Sequence, residues 1–137
     1  MLEGSASATI GNVGDSRVYL FRAGALQQLS VDDTFTAALA RAGKADPAAL
    51  NQSLRNLLTQ ATGSRETLDV HISEQTLLND DLLLLCSDGL YNAASEASIC
   101  SVLSVRQPLG DSAKRLLETA YAQGAPDNVS CVLLSYR

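Results

Sequence analysis

The 137-residue chain has no tryptophan, one histidine, three cysteines, and fewer basic than acidic residues, ten against fifteen for a net charge of −5. Each scarcity removes a class of function. The only histidine, His71, lies in a Val-His-Ile stretch, so it reads as a strand side chain on a half-exposed face rather than a general base. No Ser-His-Asp arrangement is convincing around it. Cys86, Cys100 and Cys131 are odd in number and show no close pairing, which points away from a disulfide framework. Cys86 and Cys131 fall in apolar runs and read as buried thiols in a reducing compartment. The basic residues are scattered singly, whereas tracking a phosphate backbone needs clustered cations, so no nucleic-acid partner is expected. No apolar run approaches the ~20 residues that cross a bilayer, and the N-terminus has no basic region followed by an apolar core. The expectation is a soluble, cytoplasmic protein without a membrane partner.

What is present is a composition that is 46% hydrophobic, enough for one domain with a real core. Residues 1–137 are read as a single domain, with 1–5 as a tag remnant or disordered start. Residues 6–13 and Ser16–Arg22 read as strands joined through Gly14-Asp15 as a hairpin, and Ala25–Leu29 as a third strand of the same meander. Thr34 is placed to cap a helix running to Arg41, with Gly43 as its stop, and Asp46-Pro47 opens a second short helix. Leu57–Ala61 and Leu68–Ser73 are weaker strands. Asn79-Asp80-Asp81 is a turn into Leu82–Cys86, a central strand that periodicity alone does not separate from a buried helical segment. Ser95 and Asp111 are candidate caps of two amphipathic helices, Gly124 ends the second, and Val129–Tyr136 is a closing strand. Strand groups broken by helices, with hairpin links, predict an α+β fold with a mostly antiparallel sheet and flanking helices.

Two short words carry the chemistry. Cys86-Ser87-Asp88-Gly89-Leu90 and Ala125-Pro126-Asp127-Asn128-Val129 each put a carboxylate at the end of an expected buried strand, where it needs a cation or hydrogen-bond donors. The pair points to a metal site with oxygen ligands.

The ordered set Gly11-Asn12-Val13-Gly14-Asp15-Ser16-Arg17, Asp32, Arg55-Asn56-Leu57-Leu58-Thr59 with Gly63, Cys86–Leu90 and Asp127-Asn128-Val129 resembles the metal-dependent protein phosphatases of the protein phosphatase 2C type. The resemblance runs from about Ala8 onward and covers the C-terminal half of that family or somewhat more. It implies a truncated α-β-β-α sandwich and Mg²⁺ or Mn²⁺ activating a water that attacks a phosphoserine or phosphothreonine protein or a small phosphoester. Asp88 and Asp127 match ligands of the first metal site, and Asp32 matches a ligand of a looser third ion. Asn92 stands where many members have another carboxylate, and Asp33 where the family often has histidine. Asn128 is expected to support its loop beside Gly89, while Asp15 and Arg17 look structural. The N-terminal phosphate-binding arginine, the acidic residue of the second metal site and the bridging Asp-Gly segment have no counterpart.

A sandwich lacking those strands exposes sheet edges, so a homodimer or a complementary chain is expected to complete it, with Glu3 or Asp33 as stand-in ligands. The alternative is a noncatalytic phosphatase-like binding module or an inactive fragment. Taken singly, Asp88 and Asp127 would read as turn aspartates capping amides, and only their order with the other words reverses that preference. Asp32 is equally well read as a solvated loop carboxylate. Ser87 has no base and reads as a hydrogen-bonding residue. Cys131 and Arg137 match a cysteine-phosphatase spacing, but Val132-Leu133-Leu134 reads as strand where a phosphate cradle needs a small-residue loop.

Overall fold

The computed structural model describes residues 5–43, 57–64 and 66–137. Two antiparallel sheets face each other. The smaller pairs β1 (Ser5–Asn12) with β4 (His71–Leu78), placing Ile10 opposite Ser73 and Asn12 opposite His71. The larger has the order β3-β2-β5-β6, built from β2 (Arg17–Arg22), β3 (Ala25–Gln28), β5 (Leu82–Cys86) and β6 (Cys131–Ser135).

The alternation along β2 and β5 explains the layers. Leu20 and Leu83 point one way and pack with Leu77 of β4 between the sheets. Tyr19, Phe21, Leu84 and Cys86 point the other way, into a core closed by α2 (Asp88–Tyr91), α3 (Glu96–Leu103) and α4 (Leu109–Ala122). Leu90, Ile99, Leu116 and Ala120 bring the helical side of that core. Ser95 caps α3 by accepting the Ser98 amide, and Gly124 takes φ +76° after α4, a left-handed stop that favours glycine. A further helix, α1 (Phe35–Arg41), starts at Thr34, whose hydroxyl accepts the Ala37 amide.

The α+β class and the central position of Leu82–Cys86 agree with the sequence reading. Several local expectations do not. The proposed hairpin of residues 6–13 with Ser16–Arg22 is absent, because the chain between them turns a corner: β1 enters one sheet and β2 the other. Gly14 at φ +97°, the Gly14 amide bonded to Asp33 and the Asn12 side chain bonded to the Ser16 carbonyl hold that corner. Leu57–Ala61 forms no strand beyond a single bridge from Leu58 to Thr34. The strand expected at Leu68–Ser73 begins at His71 and continues to Leu78, carried by Gln75, Thr76 and Leu77, whose mixed polarity hid it. Helix α4 starts earlier than Asp111, after Pro108, and Asp111 lies in its first turn. The second helix expected from Asp46-Pro47 lies outside the described residues.

Leu84 is fully buried at the middle of β5. Leu84→Ala should lower unfolding free energy by about 2–5 kcal/mol, and an unchanged urea midpoint would contradict this placement.

Candidate metal centre at the ends of β5 and β6

The chain direction of β5 and β6 brings the two acidic words together. Cys86 lies opposite Cys131, and the ladder continues one step further as the Ser87 amide donates to the Ser130 carbonyl at 3.0 Å. The Ser87 hydroxyl then stitches the following loops: it donates to the Asn128 carbonyl at 3.2 Å and accepts the Ser130 amide at 3.0 Å. Ser87 is therefore the hydrogen-bonding residue that the sequence reading preferred.

Gly89 completes the junction. A Cβ at this position would lie 2.4 Å from the Asn128 carbonyl oxygen and 3.3 Å from that of Asp127. Only a hydrogen fits there, so the Asp88-Gly89 turn and the Asp127-Asn128 peptide are in backbone contact. Asn128 supports the loop through its backbone: its carbonyl accepts from Ser87, and its amide donates to Asp127 Oδ1 at 2.7 Å. Asp88 is half-buried and opens α2, where a negative charge is favoured by the exposed amides. Asn92 reaches back one turn, its amide 3.5 Å from Asp88 Oδ2.

Neither Asp88 nor Asp127 forms an ion pair among the described residues. The two loops that abut thus each carry a carboxylate, the hard-oxygen donor type that Mg²⁺ and Mn²⁺ take. The donor set is incomplete in protein ligands, since no group of three or more His, Cys, Asp or Glu able to hold a metal occurs among the described residues.

The surroundings are organised by Arg17. Its guanidinium donates to both oxygens of Asp32, with Nη2 2.7 Å from Oδ2, donates to the Tyr19 hydroxyl, and lies 3.7 Å from the centre of the Tyr91 ring. Burial opposes the Arg17 charge, but the bonds to Asp32 and Tyr19 outweigh it and raise its pKa. Asp32 also accepts from Gln28. Asp32 thus has a different engagement from the ion ligand implied by the resemblance: an arginine already neutralises it.

Asp15, which looks structural in the sequence, also belongs to the electrostatics around Asp88. Burial raises its pKa, and the negative charge of Asp88 raises it further. Tyr91 donates to the Asp15 carbonyl at 2.8 Å, and burial followed by the Asp15 charge pushes its phenol well above the ordinary range. Nothing in the Gly-Asp-Ser spacing revealed this neighbourhood, because it depends on β2 lying beside β5.

Asp33 lies beneath the corner as a buried hub. It accepts the Gly14 amide at 2.9 Å and the Gln60 amide at 2.8 Å, and His71 Nε2 donates to it at 2.8 Å. Burial would raise its pKa, but these donors outweigh it and hold the carboxyl below its usual value. His71 is accordingly a structural donor. Asp33 is a support and not a free stand-in ligand, while Glu3 lies outside the described residues.

No protein-family model matches the chain. Related proteins do. The fold is that of a bacterial serine/threonine phosphatase: the chain superposes on the Mycobacterium tuberculosis phosphatase PstP/Ppp with TM-score 0.86 at 34% identity, covering 96% of this chain and 55% of that one. It is 32% identical over 130 residues to the serine/threonine phosphatase stp of Listeria innocua, covering 94% of this chain and 52% of the relative. A catalytic-domain structure of PstP in complex with two manganese ions matches at 32% identity and TM-score 0.77, covering 93% of this chain and 52% of that one. The chain is a homologue of the protein phosphatase 2C-like serine/threonine phosphatases and spans about half the length of these relatives.

Two outcomes follow from the geometry. Gly89→Ala should force the two loops apart and destabilise the chain by about 1–3 kcal/mol, read from denaturant unfolding. Because the carboxyl of Asp33 is depressed in the folded state, its contribution to stability is present above the unfolded aspartate value of ~3.9 and is lost as pH falls through the folded value. Acid titration of stability should therefore be shallower in Asp33→Asn than in the parent, and parallel curves would remove Asp33 from the hub.

Proposed function

We propose that this chain contributes half of the active centre of a divalent-metal-dependent phosphoester hydrolase acting on phosphoserine and phosphothreonine. The observation that carries this reading is the contact of Gly89 with the Asp127-Asn128 peptide, which supports placing Asp88 and Asp127 at one centre. Their carboxylates would hold Mg²⁺ or Mn²⁺. A bound ion of this kind polarises phosphoryl oxygens and lowers the pKa of its water. Ser87 fixes the separation of the two loops, Asn92 steadies Asp88, and Arg17 keeps the nearby Asp32 charge from the centre. The relatives named above, all called serine/threonine phosphatases, support the substrate class.

Further polypeptide is needed to complete the site and the sandwich. Leu85, Val132 and Leu134 are exposed on the sheet face that Leu20 and Leu83 share with the smaller sheet. A cavity of about 350 Å³ adjoins them, lined by Asn12, Ser16, Arg17, Ser87 and Ser130 among others. Asn12 in that wall is buried, and its Oδ1 accepts no hydrogen bond among the described residues. An apolar strip beside an orphaned acceptor suits an incoming strand that brings side chains and a backbone amide. We assign this place to the complementary part of the fold, with a second copy of the chain as its substitute in isolation.

Hydrolysis of an aryl phosphate with Mn²⁺ should be slow for the chain alone and should be lost in both Asp88→Asn and Asp127→Asn. Identical background in all samples would favour the noncatalytic alternative. In sedimentation, the chain alone should self-associate, and Val132→Asp with Leu134→Asp should return it to monomer; a monomeric parent would contradict the assembly face.

A further inference from the structure

We propose that Cys86 and Cys131 form a cross-strand dithiol that closes to a disulfide on oxidation by a peroxide. The two residues are direct partners in the antiparallel β5–β6 ladder. The hydrogen bonds at both ends of this ladder fix which pairs exchange amides: Tyr136 donates to Asp81, and Ser87 donates to Ser130. Counting inward by twos, Leu83 with Leu134 and Leu85 with Val132 are bonded pairs, so Cys86 with Cys131 is a non-bonded pair. Such pairs bring Cα atoms to about 4.5 Å with side chains on the same face. That spacing lies at the lower end of the range a disulfide spans, ~4.4–6.8 Å.

The side-chain surroundings agree. Cys86 is buried in the core beneath the helices, and Cys131 packs against the same core with its Sγ 3.9 Å from the Ala113 carbonyl of α4. Both sulfurs are free thiols in the structure. Cys100, on α3, has no such ladder partner.

The chemistry balances with hydrogen peroxide as oxidant. One thiol attacks a peroxide oxygen, forming a sulfenic acid and releasing water. The second thiol displaces the sulfenic oxygen as a second water, forming the S–S bond. Two thiol hydrogens are lost and the peroxide is reduced. Burial makes the first step slow, so brief opening of the β6 edge sets its rate. The bond would tie the end of β5, just before Asp88, to the start of β6, just after the Asp127 loop.

The test is peroxide treatment of the whole chain, denaturation, alkylation of the remaining thiols and peptide mapping by mass spectrometry. The expected product is a peptide containing Cys86 joined to one containing Cys131, with Cys100 alkylated, and a raised urea midpoint that returns to the parent value on reduction. Cys100→Ser should retain the crosslink. Cys131→Ser should abolish it, and its urea midpoint before and after peroxide should be the same. Crosslinks through Cys100, crosslinks between chains, or three alkylated thiols under conditions that fully oxidise glutathione would each overturn the proposal.

Discussion

The centre rests on one steric condition: at the end of β5 the backbone must come close enough to the loop before β6 that no side chain fits between them. Gly89 meets that condition, and the Ser87 hydroxyl, acting as donor to one loop and acceptor from the other strand, holds the distance. The two parts of the chain that bear carboxylates lie about forty residues apart in sequence, and only the antiparallel ladder brings them side by side. The core behind β5 matters to chemistry for this reason. Leu84 and Cys86 pack against the helices, so a strand that slipped by one residue would turn these groups to the opposite face and separate the two loops.

Around that junction the charges are arranged unevenly. Arg17 neutralises Asp32 and stacks on Tyr91, while Asp15 is held above its usual pKa by burial and by the repulsion of the Asp88 charge. A divalent cation would relieve this repulsion, which gives the acidic loops a physical reason to bind one. Asp33 serves another purpose. It is surrounded by donors, and its negative charge fastens the corner at Gly14, the segment at Gln60 and the start of β4 to a single point.

Much of this was legible in the residues. The leucine run before Cys86 marked a strand, Thr34 and Ser95 marked helix starts, and the two aspartate words lie on loops that do abut, although Asp127 is exposed and Asp88 half-buried where the sequence suggested buried strand ends. Other features depended on pairing across long distances. Gly14-Asp15 looks like a hairpin turn, and local chemistry does not say that the strands on either side enter different sheets. Only the start of β4 is legible, within Leu68–Ser73, because one face meets the small sheet interior and the other is open, leaving Glu74, Gln75 and Thr76 to dilute the apolar signal of its second half. The partnership of Asp33 with His71 was equally hidden. Asp33 stands where the resemblance has histidine, and the chain's one histidine supplies the complementary group from the start of β4.

The separation of β1 from β2 also governs assembly. The β2–β3 hairpin closes over a two-residue turn, whereas β1 pairs with β4 across most of the first half of the chain. The β2–β5 pairing closes a loop of similar length, so the entropy of that closure falls on whichever pairing forms first, and the other then joins strands already brought near by their chain neighbours. The two sheets therefore share one closure: whichever forms first prepays the joining of the other, and Leu77 of β4 seals the pair by packing on Leu20 and Leu83.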